Sequence, residues 1–352
     1  MTQHERKSVL VYRTGQLGDT LVSLPALYAI SARHPGTRLA LLTDVHPGKG
    51  FLSSWDILAE TGLFSEAVFY EPRPNLRRKW RDFWRLASRL RRSRFKRLYY
   101  LAPACRTRRQ ILRDRLFFQV LCGIPDIRGM TAQSQAGVSE RARLLRIAEG
   151  SENTDAPLPI GRKERARIDA LWRKTGLDAG ACLIALGPGA KISAKRWPAD
   201  RYAALARKLL EALPDSRVLL IGGPDDYALA QTVVEGLGPR ALNWAGRLSV
   251  LESAEVLRRC SLYVGNDSGV MHLAASVKTR CVAIFSARDA AGLWEPYGEG
   301  HRVLRKHVPC AGCLLSECQD MALLCLTGIT IDEVLESCLS VLSSSRAPVR
   351  ST

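Results

Sequence analysis

No apolar run in this sequence approaches the ~20 residues that a helix needs to cross a bilayer, so a spanning helix is excluded. An export signal is missing as well: Met1-Thr2-Gln3-His4-Glu5-Arg6-Lys7 leads into a strand-like run without the apolar stretch of a signal peptide. The expected location is therefore the cytoplasm. No short repeat and no low-complexity tract is present. Acid is in short supply, with 34 Asp and Glu against 52 Lys and Arg for a formal charge of +18. What is there is globular material: 46% hydrophobic residues, a mean hydropathy of −0.08, and 352 residues, enough for two domains that each bury a core.

The excess charge is concentrated. From Arg73 to Arg115 there are 17 Lys or Arg and two acids, Asp82 and Asp114. Such a field favours a polyanionic partner, whether nucleic acid, an anionic membrane surface or a phosphorylated glycolipid. Charge alone does not choose among them, but no base-reading motif accompanies the arginines, which places nucleic acid last. Within this stretch Trp80, Phe83, Trp84 and Ala87 share one stripe of a helical pattern over residues 76–90. Arg78, Arg81, Arg85, Arg89 and Arg92 lie on the other side. The stripe is expected to pack on its own sheet while the arginines stay in water. The alternative is a basic amphipathic helix resting in a membrane interface.

Strand-like runs at 8–12, 38–43, 67–70 and 97–101 alternate with helical segments. The polar, proline-ended stretch from Glu149 to Pro159 reads as a linker. Beyond it come helices at 163–175, 198–213, after Pro224 and at 251–260, alternating with strands at 182–186, 217–221, 242–244, from Leu262 and at 282–285. This alternation is that of doubly wound parallel sheets. Two Rossmann-like α/β domains are expected, at 1–158 and 159–328, enclosing a ligand cleft, with an amphipathic closing helix in 329–352.

Three turns carry candidate chemistry. In the first, the strand at 8–12 feeds Arg13-Thr14-Gly15-Gln16-Leu17-Gly18-Asp19 and then a helical pattern that contains Pro25. Gly15-x-x-Gly18 lacks the third glycine of a dinucleotide fingerprint, so a Rossmann dehydrogenase is disfavoured. Asp19 stands at the strand's carboxyl end, where it is either a helix cap or a catalytic acid–base group. The second turn, Gly187-Pro188-Gly189-Ala190, leads to Lys195-Arg196-Trp197-Pro198. Backbone amides at Gly187, Gly189 and Ala190 together with Lys195 can hold a diphosphate; a surface lysine beside a cap is the other reading. In the third, Asn266-Asp267-Ser268-Gly269 separates a buried strand from a helix beginning Val270-Met271-His272. The unpaired amides of that helix and its dipole suit a phosphate near Ser268 and Gly269, with His272 one turn in and Asp267 free for ligand hydroxyls. A plain N-cap followed by a core histidine fits equally well.

These turns occur in one order: Leu17-Gly18-Asp19, then Gly187–Ala190 with Lys195-Arg196-Trp197-Pro198, then Asn266-Asp267-Ser268-Gly269-x-Met271-His272-x-Ala274-Ala275. Together they resemble the heptosyltransferases of lipopolysaccharide core assembly, glycosyltransferase family 9. The likeness extends over nearly the whole chain and includes the weaker Ala245–Ser249 turn and Pro296-Tyr297-Gly298. It implies a GT-B architecture and an inverting, metal-independent transfer of heptose from an ADP-sugar to a lipopolysaccharide-core or related glycolipid. No cofactor would be required. Asp19 would be the general base. Lys195, Asp267, Ser268, Gly269 and His272 would hold the donor, with Asp226 and Leu248 as weaker candidates around the nucleotide. The basic first domain, with Arg78, Arg81 and Arg85, suits a phosphorylated lipid acceptor at the inner face of the inner membrane, hence peripheral contact with an anionic membrane surface. The resemblance also implies that the closing helix returns to the first domain. A donor with another nucleotide or sugar, a sugar-nucleotide epimerase, and a non-catalytic binder of nucleotide-sugars or anionic glycolipids remain open.

Cys310-x2-Cys313-x4-Cys318-x6-Cys325 has the count of a tetrathiolate site, with His307 as a substitute ligand. Only its first pair has zinc-like spacing. Structural zinc, reduced thiols and a local disulfide are the alternatives.

Overall fold

Ser8–Tyr12 is buried at every position, as the middle of a parallel sheet covered on both faces requires. The computed structural model describes residues 8–46, 52–72, 79–103, 106–130, 137–177, 181–318 and 321–346. The chain divides into two compact units, Met1–Pro159 and Ile160–Thr352.

The first unit runs β1 (Ser8–Tyr12), α1 (Leu17–Arg33), β2 (Arg38–Asp44), α2 (Ser54–Leu58), β3 (Glu66–Tyr70), α3 (Lys79–Arg92), β4 (Arg97–Tyr100), α4 (Arg108–Leu116), β5 (Asp126–Arg128) and α5 (Glu140–Ala148). Its sheet has the order β3-β2-β1-β4-β5, all parallel. Strand order therefore reverses between β1 and β4, and the turn that carries Asp19 leaves from that switch point. Pro25 sits inside α1. The expected linker is tied to this unit, since the Tyr28 hydroxyl donates to the Pro157 carbonyl at 2.8 Å.

The second unit runs α6 (Arg162–Thr175), β6 (Cys182–Gly187), α7 (Ala199–Ala212), β7 (Ser216–Leu220), α8 (Tyr227–Val234), β8 (Ala241–Asn243), α9 (Val250–Arg259), β9 (Leu262–Asn266), α10 (Gly269–Ser276), β10 (Cys281–Phe285), β11 (Arg302–Arg305), α11 (Leu324–Thr327) and α12 (Ile331–Arg346). Its sheet has the order β11-β10-β9-β6-β7-β8, again parallel. The reversal here lies between β6 and β9. Those two strands feed the two glycine-bearing turns singled out in the sequence. Gly187 pairs with Gly265 in register, and a Cβ at either would stand 2.1 or 2.2 Å from the Tyr263 hydroxyl. The missing side chains make room for a buried tyrosine.

α12 inserts Val334, Cys338, Val341 and Leu342 into the core of the second unit. Its apolar stripe is covered by α7 and the β9–β11 edge. The aromatic stripe of α3 was expected to pack on its sheet; Ala87 and Leu90 are buried there and Leu86 packs half-buried against the same core, while Trp80 and Trp84 stand in solvent. The small Ala87 and the aliphatic Leu90 are what the close helix–sheet contact admits, and the indoles flank it.

Candidate functional site

Asp19 is the third residue of α1. Its Oδ2 accepts from the Gln16 amide at 3.1 Å, closing a capping box. The cap reading is thus realised, yet a third of the side chain is exposed and Oδ1 lies 3.8 Å from Arg13 Nη2. Gly15, at φ +118°, gives the carboxyl its place: a Cβ there would come within 2.7 Å of it. Arg13 is fully buried, donating to the carbonyls of Leu101 (2.8 Å) and Asp19. Burial pulls its guanidinium down, and the carboxylates of Asp19 and Glu140 oppose that shift. The buried guanidinium thus stands at ion-pair distance from Asp19 Oδ1, while the amide cap takes Oδ2.

In the second unit, Asn266 at the end of β9 organises the switch point. Its Oδ1 accepts from the Trp197 amide and the Tyr202 hydroxyl, both at 3.0 Å, and its Nδ2 donates to the Pro188 carbonyl at 2.7 Å. The three bonds fasten the Gly187–Ala190 turn and the start of α7 to β9. Arg196 adds a 2.7 Å bond to the Ala190 carbonyl. Lys195 is thereby delivered to Asp267, with Nζ 2.5 Å from Oδ2 and also 3.1 Å from Asp289 Oδ2. Arg288 reaches Asp289 at 2.6 Å, and Arg305 donates to the Asp289 carbonyl at 2.7 Å. Lys195, Arg288 and Arg305 therefore surround Asp267 and Asp289 in a nearly closed group of charges. Burial pushes the Asp267 carboxyl up, Lys195 draws it back, and Asp289 adds to the rise.

Ser268 is the N-cap of α10, in extended geometry and with no side-chain cap hydrogen bond. The first amides of α10, beginning at Gly269, consequently keep their capacity for an anion. His272 is buried one turn in, its ring edge-on to Trp294 with 6.4 Å between centroids. Asp226 leans over the glycine turn, where a Cβ on Gly189 would stand 2.1 Å from its Oδ1, and it accepts from the Gly223 amide at 2.9 Å. Leu248 is half-buried in the neighbouring turn, which Gly246 ties to the Gly222 carbonyl at 3.0 Å.

Not every expected residue joins these groups. Arg81 and Arg85 are exposed on α3 and pair at the surface with Asp82, at 3.6 and 3.8 Å, and Arg78 lies outside the described residues. Cys310, Cys313, Cys318 and Cys325 are free thiols, and among the described residues no group of three His, Cys, Asp or Glu able to hold a metal forms. Sequence reasoning missed Asp289 and left Asn266 without a role. The available signal for Asp289 was its place four residues beyond a strand end, on the same sheet edge as Asp267.

Comparison with known proteins is consistent in kind. The model of "Glycosyltransferase family 9 (heptosyltransferase)" matches residues 130–323, more than half of the chain. The lipooligosaccharide heptosyltransferase 2 of Haemophilus influenzae is 33% identical over 118 residues, 32% of this chain and 34% of that protein. The chain thus spans about a third of the length of that curated relative. Among solved structures, the Escherichia coli ADP-heptose lps heptosyltransferase II superposes with a TM-score of 0.71 at 20% identity, covering 97% of this chain and 100% of that one. A glycosyl transferase family 9 protein from Veillonella parvula gives 0.74 at 18% identity, with 97% and 99% covered. At these identities the structures establish the fold, the paired Rossmann-like domains of the GT-B class.

Proposed function

This chain belongs to glycosyltransferase family 9, and on that premise we propose that it transfers heptose from an ADP-sugar to a lipopolysaccharide-core or related glycolipid, with inversion at the anomeric carbon. The observation that carries the reading is the switch point of the second sheet: Lys195 among acids, beside a helix start that its own N-cap leaves open. The donor diphosphate would take Lys195 from Asp267 and accept from the amides of Ser268 and Gly269. Asp267, released, would receive sugar hydroxyls. Asp226 and Leu248 would border the nucleotide, and the turn Gly187, Gly189, Ala190 would lie along the phosphates.

The reaction balances through one base. Asp19 accepts the proton of the acceptor hydroxyl as that oxygen bonds to the anomeric carbon, while the bond from that carbon to the diphosphate oxygen breaks and ADP leaves with its electron pair. Such a base contributes on the order of 10²–10⁴ in rate. Preset donors at the departing diphosphate contribute a comparable or larger share. Lysine and the helix dipole would supply positive charge there and His272 a further hydrogen-bond donor, so we propose that no metal is needed for the transfer. Arg81 and Arg85 would meet the phosphates of the acceptor, presented at the cytoplasmic face of the membrane.

The test combines binding with turnover. ADP-heptose should raise the unfolding temperature more than UDP- or GDP-sugars do, since a ligand of the folded state stabilises it in proportion to the logarithm of its occupancy. ADP should then appear only when a core glycolipid is added. Stabilisation without ADP release would reduce the protein to a binder, and ADP release without acceptor would point to a different reaction.

A further inference from the structure

The two helices richest in arginine also expose the largest apolar side chains of the first unit. Trp80 and Trp84 on α3 are 70% and 53% exposed, and Leu112, Leu116 and Val120 on α4 and the turn that follows it are 59%, 54% and 61% exposed. Both sets recur every four residues, so each forms a stripe along its element. The elements are joined: the Phe83 and Phe117 rings lie 5.1 Å apart, and Arg91 donates to the carbonyls of Val120 and Leu121 at 3.2 and 3.1 Å. A cavity of about 1040 Å³ adjoins them, lined in part by Trp80, Phe83, Phe117, Arg85, Arg89 and Arg113. Its wall mixes rings with guanidinium groups.

Exposed tryptophan and leucine in adjacent stripes are costly in water and mark a contact surface. The charge around them selects the partner. The α3 sequence holds six basic residues and one acid, and that of α4 four and one. Asp82 and Asp114 are already paired with arginines. A second copy of the chain would bring the same charge against itself. A nucleic acid would meet the arginines but offer the leucines no apolar interior. A bilayer with anionic headgroups meets both requirements, because indoles settle at the headgroup level and basic side chains reach the phosphates.

We propose that α3, α4 and the turn to Leu121 form a docking surface for an anionic lipid bilayer, with Trp80 and Trp84 as its interfacial anchors and the adjoining cavity admitting an acyl chain. The proposal extends the glycolipid reading, and its test uses vesicles that contain neither donor nor core glycolipid, so either can fail alone. The full chain is sedimented with vesicles of equal parts phosphatidylglycerol and phosphatidylcholine, or of phosphatidylcholine alone. Binding should require the anionic lipid, weaken with salt, and fall about tenfold or more in Trp80→Ser/Trp84→Ser. Bromine-labelled acyl chains should quench tryptophan fluorescence in the unsubstituted protein and less in that variant. Leu112→Ser/Leu116→Ser should weaken binding as well, with unfolding temperatures unchanged in both. Equal binding to neutral vesicles, undiminished binding of the tryptophan variant, or a dimer that the variant dissolves would overturn the proposal.

Discussion

At the end of β1 the chain turns through Gly15 into α1, and at the end of β9 it turns through Asp267 and Ser268 into α10. Both turns leave from the point where strand order reverses, so both stand where an open parallel sheet receives ligands. They treat the helix start in opposite ways. α1 carries its own anion, Asp19, whose carboxylate closes a capping box. α10 carries a serine that makes no side-chain cap bond. A helix start that supplies its own carboxylate repels a phosphate and presents a base. One left open attracts a phosphate and presents none. The two switch points thus share a local fold, and we propose that the residue at each helix start gives each a different chemical role.

Exchange of those provisions tests the comparison most severely. Asp19→Asn keeps an oxygen for the Gln16 amide, so α1 stays capped and stability should change by less than about 1 kcal/mol. Turnover should nevertheless drop by ~10²–10⁴ while ADP binding persists. Full activity in that variant would leave Asp19 as a cap and nothing more. A smaller effect is expected from Ser268→Asp, which gives α10 the anion that α1 has. ADP affinity, measured by calorimetry, should weaken about tenfold through the dipole and the added negative charge. An unchanged affinity would mean that the phosphates lie elsewhere.

The smallest effect is read at Asp267 through pH. Burial holds the Asp267 carboxyl above its usual range, so the native state binds that proton more tightly than the unfolded chain does. The stability it contributes is fully present below the unfolded pKa and is lost as pH rises through the folded one. The unfolding temperature of the native sequence relative to Asp267→Asn should therefore decline as pH is raised from about 3 to 7. A rising difference would show that the ion pair with Lys195 outweighs burial.

Much of the candidate chemistry in each unit was legible because it is local. Asp19 at a strand end and the Asn266–Gly269 turn are short-range patterns, in which strand, small polar turn and helix follow one another within a dozen residues. Asp289 was not legible in the same way. It reaches Lys195 across two loops from separate strands, and nothing in its neighbours announces that meeting. β5 and β11 escaped as well, being short edge strands whose residues are half-buried or exposed. For α3 the pattern was read correctly and the packing was not. Periodicity locates an apolar stripe but cannot say how wide a band the sheet covers, and here the sheet takes Ala87 and Leu90 and leaves the tryptophans out.

By itself the sequence determined that two parallel α/β units form, where their glycine-bearing turns lie, and that the first unit carries an unusual excess of arginine. These follow from the spacing of neighbouring residues and from composition, both of which act along the chain. Only the tertiary structure decided that Lys195 is held between Asp267 and Asp289, that α12 closes the second core, and that Trp80 and Trp84 face solvent. Each of these outcomes depends on which surfaces meet after the sheets have assembled, and burial and ion pairing are properties of that meeting rather than of any one segment.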